Sequence, residues 1–322
     1  SSDLPHCLSP KPFLSRGSYK RPSDQKTLRR WKCRDCLKSF SEKIFSIDYR
    51  LRKRHINQPV FRALCKGVSQ RGCAFLFNVH RDTIARRLVR FGACARHNLE
   101  IYRKSRPAAS TILIDEMESF EHTKCKPLTI PIAIEEKTRK ILSLRVGKIA
   151  AKGHLAALSR EKYGYRPCER KACLHAVFRE LGDVVQETAT IKSDVSRHYP
   201  LPIKSYFPKA IHTAYKGRRG CIVGQGELKA VGFDPLFSLN HSYAMIRDNV
   251  KRLARRTWTT TKRPDRLELH LYTYAWFHNQ GSTGGEGLFF SDGYPLPTSE
   301  DSFKPLVSKL LKMNGPSTER LI

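Results

Sequence analysis

From residue 58 to 91 the apolar positions keep helical spacing: Val60, Leu64 and Val68, then Ala74, Phe75, Phe77 and Val79, then Ile84, Leu88 and Phe91. Steps of three and four residues put each set on one face, so this stretch predicts three short helices joined by tight turns. Residues 95–110 are polar, include Arg103, Lys104, Arg106 and Pro107, and read as a linker. Beyond Thr111 the period shortens to that of strands. Residues 112–115, 128–134 and 141–146 predict three consecutive antiparallel strands, the last two joined by a turn at 135–139. Residues 154–182 predict helix with an irregular centre at 163–167, followed by a strand at 189–194, a short helix at 202–208 and a strand at 210–215. Residues 238–257 carry the clearest helical pattern, with Leu239, Tyr243, Ile246, Val250 and Leu253 on one face, and a further helix at 266–279 follows Pro264.

The ends of the chain differ from this middle. Pro5, Pro10, Pro12 and Pro22 break up the polar, basic residues 1–54, and past Gln280 the text turns to Gly, Ser, Thr and Pro, with at most a short helix at 303–312. No internal repeat is present. The expected organisation is a multi-domain α+β chain: a small zinc-ribbon-like module at 1–54, a helix-turn-helix domain at 55–94, a linker at 95–110, an α/β catalytic domain at 111–280 and a flexible tail at 281–322.

Charge narrows the partner. Lys and Arg number 60 against 29 Asp and Glu, a formal excess of +31 that would repel itself in a compact body unless a polyanion offsets it. Double-stranded DNA is the expected partner. No apolar run reaches the roughly 18 residues of a membrane span and residues 1–30 hold no signal-like apolar segment, so the expectation is a cytoplasmic, nucleoid-associated protein with no membrane partner. Ten scattered cysteines then read as reduced thiols with room for one metal site.

Three constellations carry candidate chemistry. Cys33 and Cys36 form a CxxC that can supply two corners of a tetrahedral Zn²⁺, with Cys7, beside His6, the upstream candidate for the other half. Two buried thiols without metal are the plain alternative. The run from Lys66 to Ile84 has helix-turn-helix layout: Ala74 lets two helices approach, Val79 seals the turn, and the helix from Arg81 presents Arg81, Arg86, Arg87 and Arg90 to guanine edges or phosphates. Asp115 closes the apolar Ile112-Leu113-Ile114, and Asp194 closes Thr190-Ile191-Lys192-Ser193. Two acids delivered by neighbouring strands after an antiparallel three-strand segment, in so basic a chain, favour a ribonuclease H-like core in which they share Mg²⁺ or Mn²⁺.

Together these segments resemble the transposases of small bacterial insertion sequences: the DDE class with an N-terminal zinc finger and helix-turn-helix, close to the insertion-sequence-one-like group. The resemblance is carried by residues 29–40 and 67–91, by Ile114-Asp115-Glu116 and Lys192-Ser193-Asp194, and above all by the block from Leu239 to Trp258 with Lys262 and His278-Asn279. It covers about residues 5–280. It implies binding to the element's terminal inverted repeats and to target DNA, metal-dependent strand cleavage and transfer, and a homo-oligomer on the DNA ends. Asp115 and Asp194 would be metal ligands. The third position, usually Glu, falls on Asn240 beside His241, with Glu227 and Asp248 as rivals. Arg247, Lys251, Arg252, Arg255, Arg256 and Lys262 would hold DNA phosphates nearby. Two other readings fit the missing Glu: a DNA-binding regulator derived from a transposase, and a nuclease on the same fold that does not join strands.

Overall fold

The computed structural model describes residues 13–281, apart from 23–24, 35–36, 42, 44–46, 48, 50, 183, 217–220, 223–224, 230–231 and 255–257. The chain divides into two units, one including Ser1–Arg54 and the other His55–Gly285. The expected tail at 281–322 lies outside the described residues from residue 282 on.

In the first unit, β1 (Phe13–Lys20), β2 (Thr27–Cys33) and β3 (Ser39–Ser41) form an antiparallel sheet in that order. The β1–β2 register slips between Ser15 and Ser18, where Gly17 takes a φ of +74°, a left-handed value that a side chain would strain. Phe13 packs edge-on against Phe40 at 5.1 Å, and the Arg30 guanidinium lies 4.5 Å from the Tyr19 ring. Cys33 closes β2, buried, with its amide bonded to the Lys38 carbonyl. Cys7 and Cys36, the other members of the expected zinc site, lie outside the described residues.

The second unit opens with α1 (Asn57–Leu64), α2 (Gln70–Leu76) and α3 (Arg81–Ser105). Ser69 starts α2 by accepting the Gly72 amide at 3.0 Å. α3 corrects two expectations. The residues read as a linker at 95–110 continue the helix to Ser105, because the buried stripe of Ile84, Leu88 and Phe91 runs on through Cys94, Ala95, Asn98, Leu99 and Arg103. Polar composition misled there: Asn98 and Arg103 are buried, and Arg103 donates to the Leu142 carbonyl at 3.0 Å while pairing with Glu180 at 3.5 Å. The expected domain boundary therefore falls inside one unit.

Next come β4 (Ala109–Phe120), β5 (Pro127–Glu135), β6 (Ile141–Leu144), β7 (Gly147–Lys148), α4 (Leu155–Tyr163), α5 (Arg170–Leu181), β8 (Val185–Asp194), α6 (Pro200–Tyr206) and β9 (Ile211–Tyr215). Their sheet has the order β6-β5-β4-β8-β9, with β7 paired to β5. β5 runs antiparallel to both of its neighbours β4 and β6, whereas β8 and β9 run parallel to β4. One sheet face buries Ile112, Ile114, Ala133, Ala189 and Ile191 against Leu174, Val177, Phe178 and Leu181 of α5 and Ile203 of α6. Strand alternation sends Leu113, Asp115 and Met117 to the opposite face.

Beyond β9, the sequence pattern missed a small antiparallel sheet of β10 (Cys221–Ile222), β11 (Gln225–Lys229) and β12 (Gly232–Phe233). Two helices finish the unit: α7 (Phe237–Asn249), which packs on β4, and α8 (Pro264–Asn279), which packs on β6 and α3. The helix expected over 238–257 stops early. The Asn249 carbonyl accepts the Gly67 amide at 2.8 Å, Val250 turns extended, and a single 3₁₀ turn at Lys251–Leu253 follows. No helix among the described residues is long and apolar enough to cross a membrane.

Candidate active site

The parallel register of β4 and β8 sets Ile114 opposite Ser193, so the next residue on each strand, Asp115 and Asp194, stand side by side. Asp115 Oδ1 accepts the Glu116 amide at 2.7 Å and the Tyr199 hydroxyl at 3.4 Å. Burial first, then the neighbouring Asp194 charge, push the Asp115 carboxyl up from 3.8 to about 7. Burial also raises Asp194, opposed by the Arg170 guanidinium. Of the pair, Asp115 is the one that keeps its proton near neutrality. Asp194 Oδ1 is buried and accepts no hydrogen bond.

Glu116 points to the α5 side, where its Oε2 accepts the Thr129 hydroxyl at 2.7 Å and pairs with Arg170 at 3.1 Å. Arg170 also reaches Glu118 at 3.2 Å. From α7, the buried Tyr243 hydroxyl has no hydrogen-bond partner and is pushed upward by burial and then by the Asp115 charge. Sequence reasoning missed Tyr199, Tyr243 and Arg170. Only strand and helix packing brings them beside the two acids.

Asn240 sits exposed on the first turn of α7. Its Nδ2 donates to Asp234 Oδ2 at 2.8 Å, and Asp234 Oδ1 accepts the Leu236 amide at 3.1 Å. Asp234, buried and also missed, thereby fixes both the helix start and the Asn240 amide. Tyr243, three residues on and thus on the same side of the helix, is the α7 residue that feels Asp115. His241 is surrounded by Phe237, at 6.0 Å between rings, with Arg139 and His278, and burial followed by Arg139 lowers it. Asp248 is exposed at the far end of α7, where Tyr274 feels its charge. Glu227 lies on β11, and its side chain is outside the description.

Among the described residues, no group of three or more His, Cys, Asp or Glu side chains is arranged to hold a metal ion. The acid pair nonetheless suits a divalent cation by its chemistry. Two adjacent carboxylates repel, and one of their oxygens is buried without a donor. In metal-free protein the burial of Asp115, reinforced by the Asp194 charge, has a thermodynamic signature. The folded Asp115 carboxyl holds its proton to about pH 7 and the unfolded one only to 3.8, so the folded state binds more protons across that window and stability falls as pH rises through it. The slope is at most about 1.4 kcal/mol per pH unit. Thermal unfolding in chelator should show this fall from pH 5 to pH 8, and D115N should flatten it. Added Mg²⁺ should raise the midpoint of the wild type at pH 8 but not that of D115N. Equal pH slopes for both proteins would remove Asp115 from the coupled pair.

The basic residues divide between surface and core. Arg81 and Arg86 are exposed on α3 and Arg90 is half-buried, but Arg87 is 4% exposed, which corrects its assignment to a DNA-facing surface. Four residues after Thr83 and three after Ile84, it falls on the helix's inner stripe. Lys251 and Lys262 are exposed and Arg247 is half-buried. Arg252 is half-buried too, and burial lowers it to about 10 despite Asp265 nearby. Arg255 and Arg256 lie outside the described residues. No protein-family model matches the chain, and no curated protein matches it.

Proposed function

We propose that this chain is a DNA transposase whose second unit is a ribonuclease H-like catalytic core carrying a helix-turn-helix at its start. The observation that carries the reading is the register of β4 and β8, which sets Asp115 beside Asp194 in a sheet of order β6-β5-β4-β8-β9. Asp115 and Asp194, with the Asn240 carbonyl oxygen as third donor, would hold Mg²⁺, which would supply the positive charge for activating water or a 3′-hydroxyl and polarising a phosphodiester. Tyr199 orients Asp115, and Asp234 orients the Asn240 amide. Arg81 and Arg86 hold phosphates of the terminal inverted repeats, with Lys251 and Lys262 on target or flanking DNA. In this reading the protein acts as a homo-oligomer on two DNA ends, in the cytoplasm and on the nucleoid.

The test is purified full-length protein with Mg²⁺ or Mn²⁺ and DNA carrying the flanking repeats, scored separately for nicking and for joining. Nicking without joining would reduce the assignment to a nuclease. Binding without either would favour the transposase-derived regulator, a reading supported by Asn240 in place of an acid and by the Arg170 ion pair that already occupies Glu116.

Within the helix-turn-helix, the two adjacent arginines should behave oppositely. R86A should weaken duplex binding and reduce the salt slope by about 0.9 for a lost phosphate contact, with unfolding unchanged. R87A should lower the unfolding midpoint while properly folded protein retains the wild-type salt slope. A salt slope altered by R87A alone would overturn this division.

A further inference from the structure

Phe233 is 67% exposed at the end of β12, yet its ring has neighbours. It lies 6.2 Å from the Phe237 ring, and Phe237 lies 6.0 Å from His241, one turn further along α7. The Arg139 guanidinium covers the Phe237 ring at 5.3 Å. Arg139 comes from the turn between β5 and β6, and its backbone is held from both sides. Its amide donates to the Glu135 carbonyl at 2.9 Å, and its carbonyl accepts His278 Nε2 of α8 at 3.0 Å. Its φ of +56° is one that glycine adopts freely and a side chain only under strain, so the turn itself does not call for arginine. Arg106, Arg166 and Arg170 each hold a carboxylate, whereas among the described residues the Arg139 guanidinium forms no ion pair. Lys137 stands exposed in the same turn.

We infer that Phe233, Phe237 and Arg139 form a binding site for an unpaired nucleotide, with the base stacked on Phe233 and an adjoining phosphate on the Arg139 guanidinium. A guanidinium lying on a ring keeps its in-plane N–H donors for a phosphate. Phe233 and Arg139 both neighbour the one Phe237 ring, a separation that a base and the phosphates flanking it can bridge. An exposed aromatic face with an unpaired cation close by matches single-stranded nucleic acid on both counts, apolar base and anionic backbone. Intact duplex is a poorer partner, because paired bases hide their faces in the stack. Phe233 immediately precedes Asp234, whose carboxylate fixes the Asn240 amide at 2.8 Å, which sets this site at the first turn of α7. The inference rests on the nucleic-acid partner proposed above and not on the cleavage chemistry.

The test compares full-length wild type, F233A, F233W and R139G for binding to an oligothymidylate and to a duplex of equal length over a series of salt concentrations. F233A should lose about 5- to 150-fold in oligothymidylate affinity, equivalent to about 1–3 kcal/mol for a stacked base, with duplex affinity unchanged. F233W should keep that affinity and add quenching of intrinsic fluorescence by oligothymidylate beyond that of the wild type. R139G should lower the oligothymidylate salt slope by about 0.7 for a lost single-strand phosphate contact and leave the duplex slope as it was. Both F233A and R139G should unfold at the wild-type midpoint, because Phe233 is exposed and glycine suits the φ of residue 139. Unchanged oligothymidylate affinity in F233A, an equal loss on duplex, or a change in its oligomeric mass would each overturn the site, the last in favour of a self-association surface. A wild type that binds duplex but not oligothymidylate would overturn the site alone, and one that binds neither would overturn the nucleic-acid partner with it. Failure of the wild type to nick DNA would overturn the transposase reading and leave the stacking result standing.

Discussion

Replacing Asp115 or Asp194 with Ala should abolish metal-dependent nicking, with a loss well beyond 100-fold, while binding to the repeats stays within about twofold. The size follows from position. Outer-shell partners of a metal typically cost about 10- to 100-fold when removed, so a direct ligand must cost more. Neither acid contacts phosphate in the proposed complex, and removing a carboxylate from a basic protein does not weaken its attraction for DNA. Y199F, which deletes only the hydroxyl donated to Asp115, should fall in the intermediate range of about 10- to 100-fold. N240A should cost more than D248A, since Asp248 lies at the other end of α7 beside Tyr274, and more than E227A. N240D should retain part of the activity. A D115A protein that nicks at more than a few per cent of the wild-type rate would take the acid pair out of the reaction.

G92A should destabilise the second unit, although the same change at an unobstructed helix position would stabilise it by about 1 kcal/mol through helix propensity. A Cβ at Gly92 would stand 2.5 Å from both the Cβ and the carbonyl oxygen of Leu269, and 2.8 Å from the Leu269 carbonyl carbon. These are largely backbone atoms of α8, which cannot swing aside as a side-chain tip could, so α3 and α8 must separate. Overpacking of this kind costs about 1–3 kcal/mol or more, enough to reverse the propensity gain. Urea unfolding should show the midpoint fall with an unchanged m value. G182A is the control: its Cβ meets only the Arg179 carbonyl oxygen at 3.5 Å, an ordinary contact, and its stability should match or exceed the wild type. Equal stability of the G92A and wild-type proteins would mean that the two helices do not meet at this glycine.

Period alone was sufficient where one face of an element is buried and the other wet. The shift from helical to strand spacing after Thr111, the strand ending at Asp194, and the helices on either side of residues 163–167 were legible for this reason, as was α8 after Pro264, whereas the strand expected to close at Asp115 runs on to Phe120. The pair of acids was legible as strand residues, although only Asp194 closes its strand and Asp115 stands inside β4. That they come from neighbouring strands was expected from the ribonuclease H-like pattern, but the register that sets them side by side was not, because pairing between β4 and β8 joins residues 79 apart and leaves no local trace.

Elsewhere tertiary contacts outweighed local composition. Residues 95–105 look like a polar linker, yet Asn98 and Arg103 are buried in α3, where Arg103 finds Leu142 and Glu180 as partners far along the chain. Arg87 counts as basic surface in any composition and is core in the fold. The helix expected to reach residue 257 stops at Asn249 because Gly67, nearly two hundred residues upstream, takes its last carbonyl. Asp234, Tyr199 and Tyr243 carry no motif of their own. Tyr199 and Tyr243 reach the acids only because the turn after β8 and α7 pack where Asp115 stands, and Asp234 enters through its bond to Asn240. Residue type and spacing determined which elements form and where acids and bases fall along them. Packing decided which charges are buried, and burial is what turns an aspartate within a strand into one that holds its proton to about pH 7.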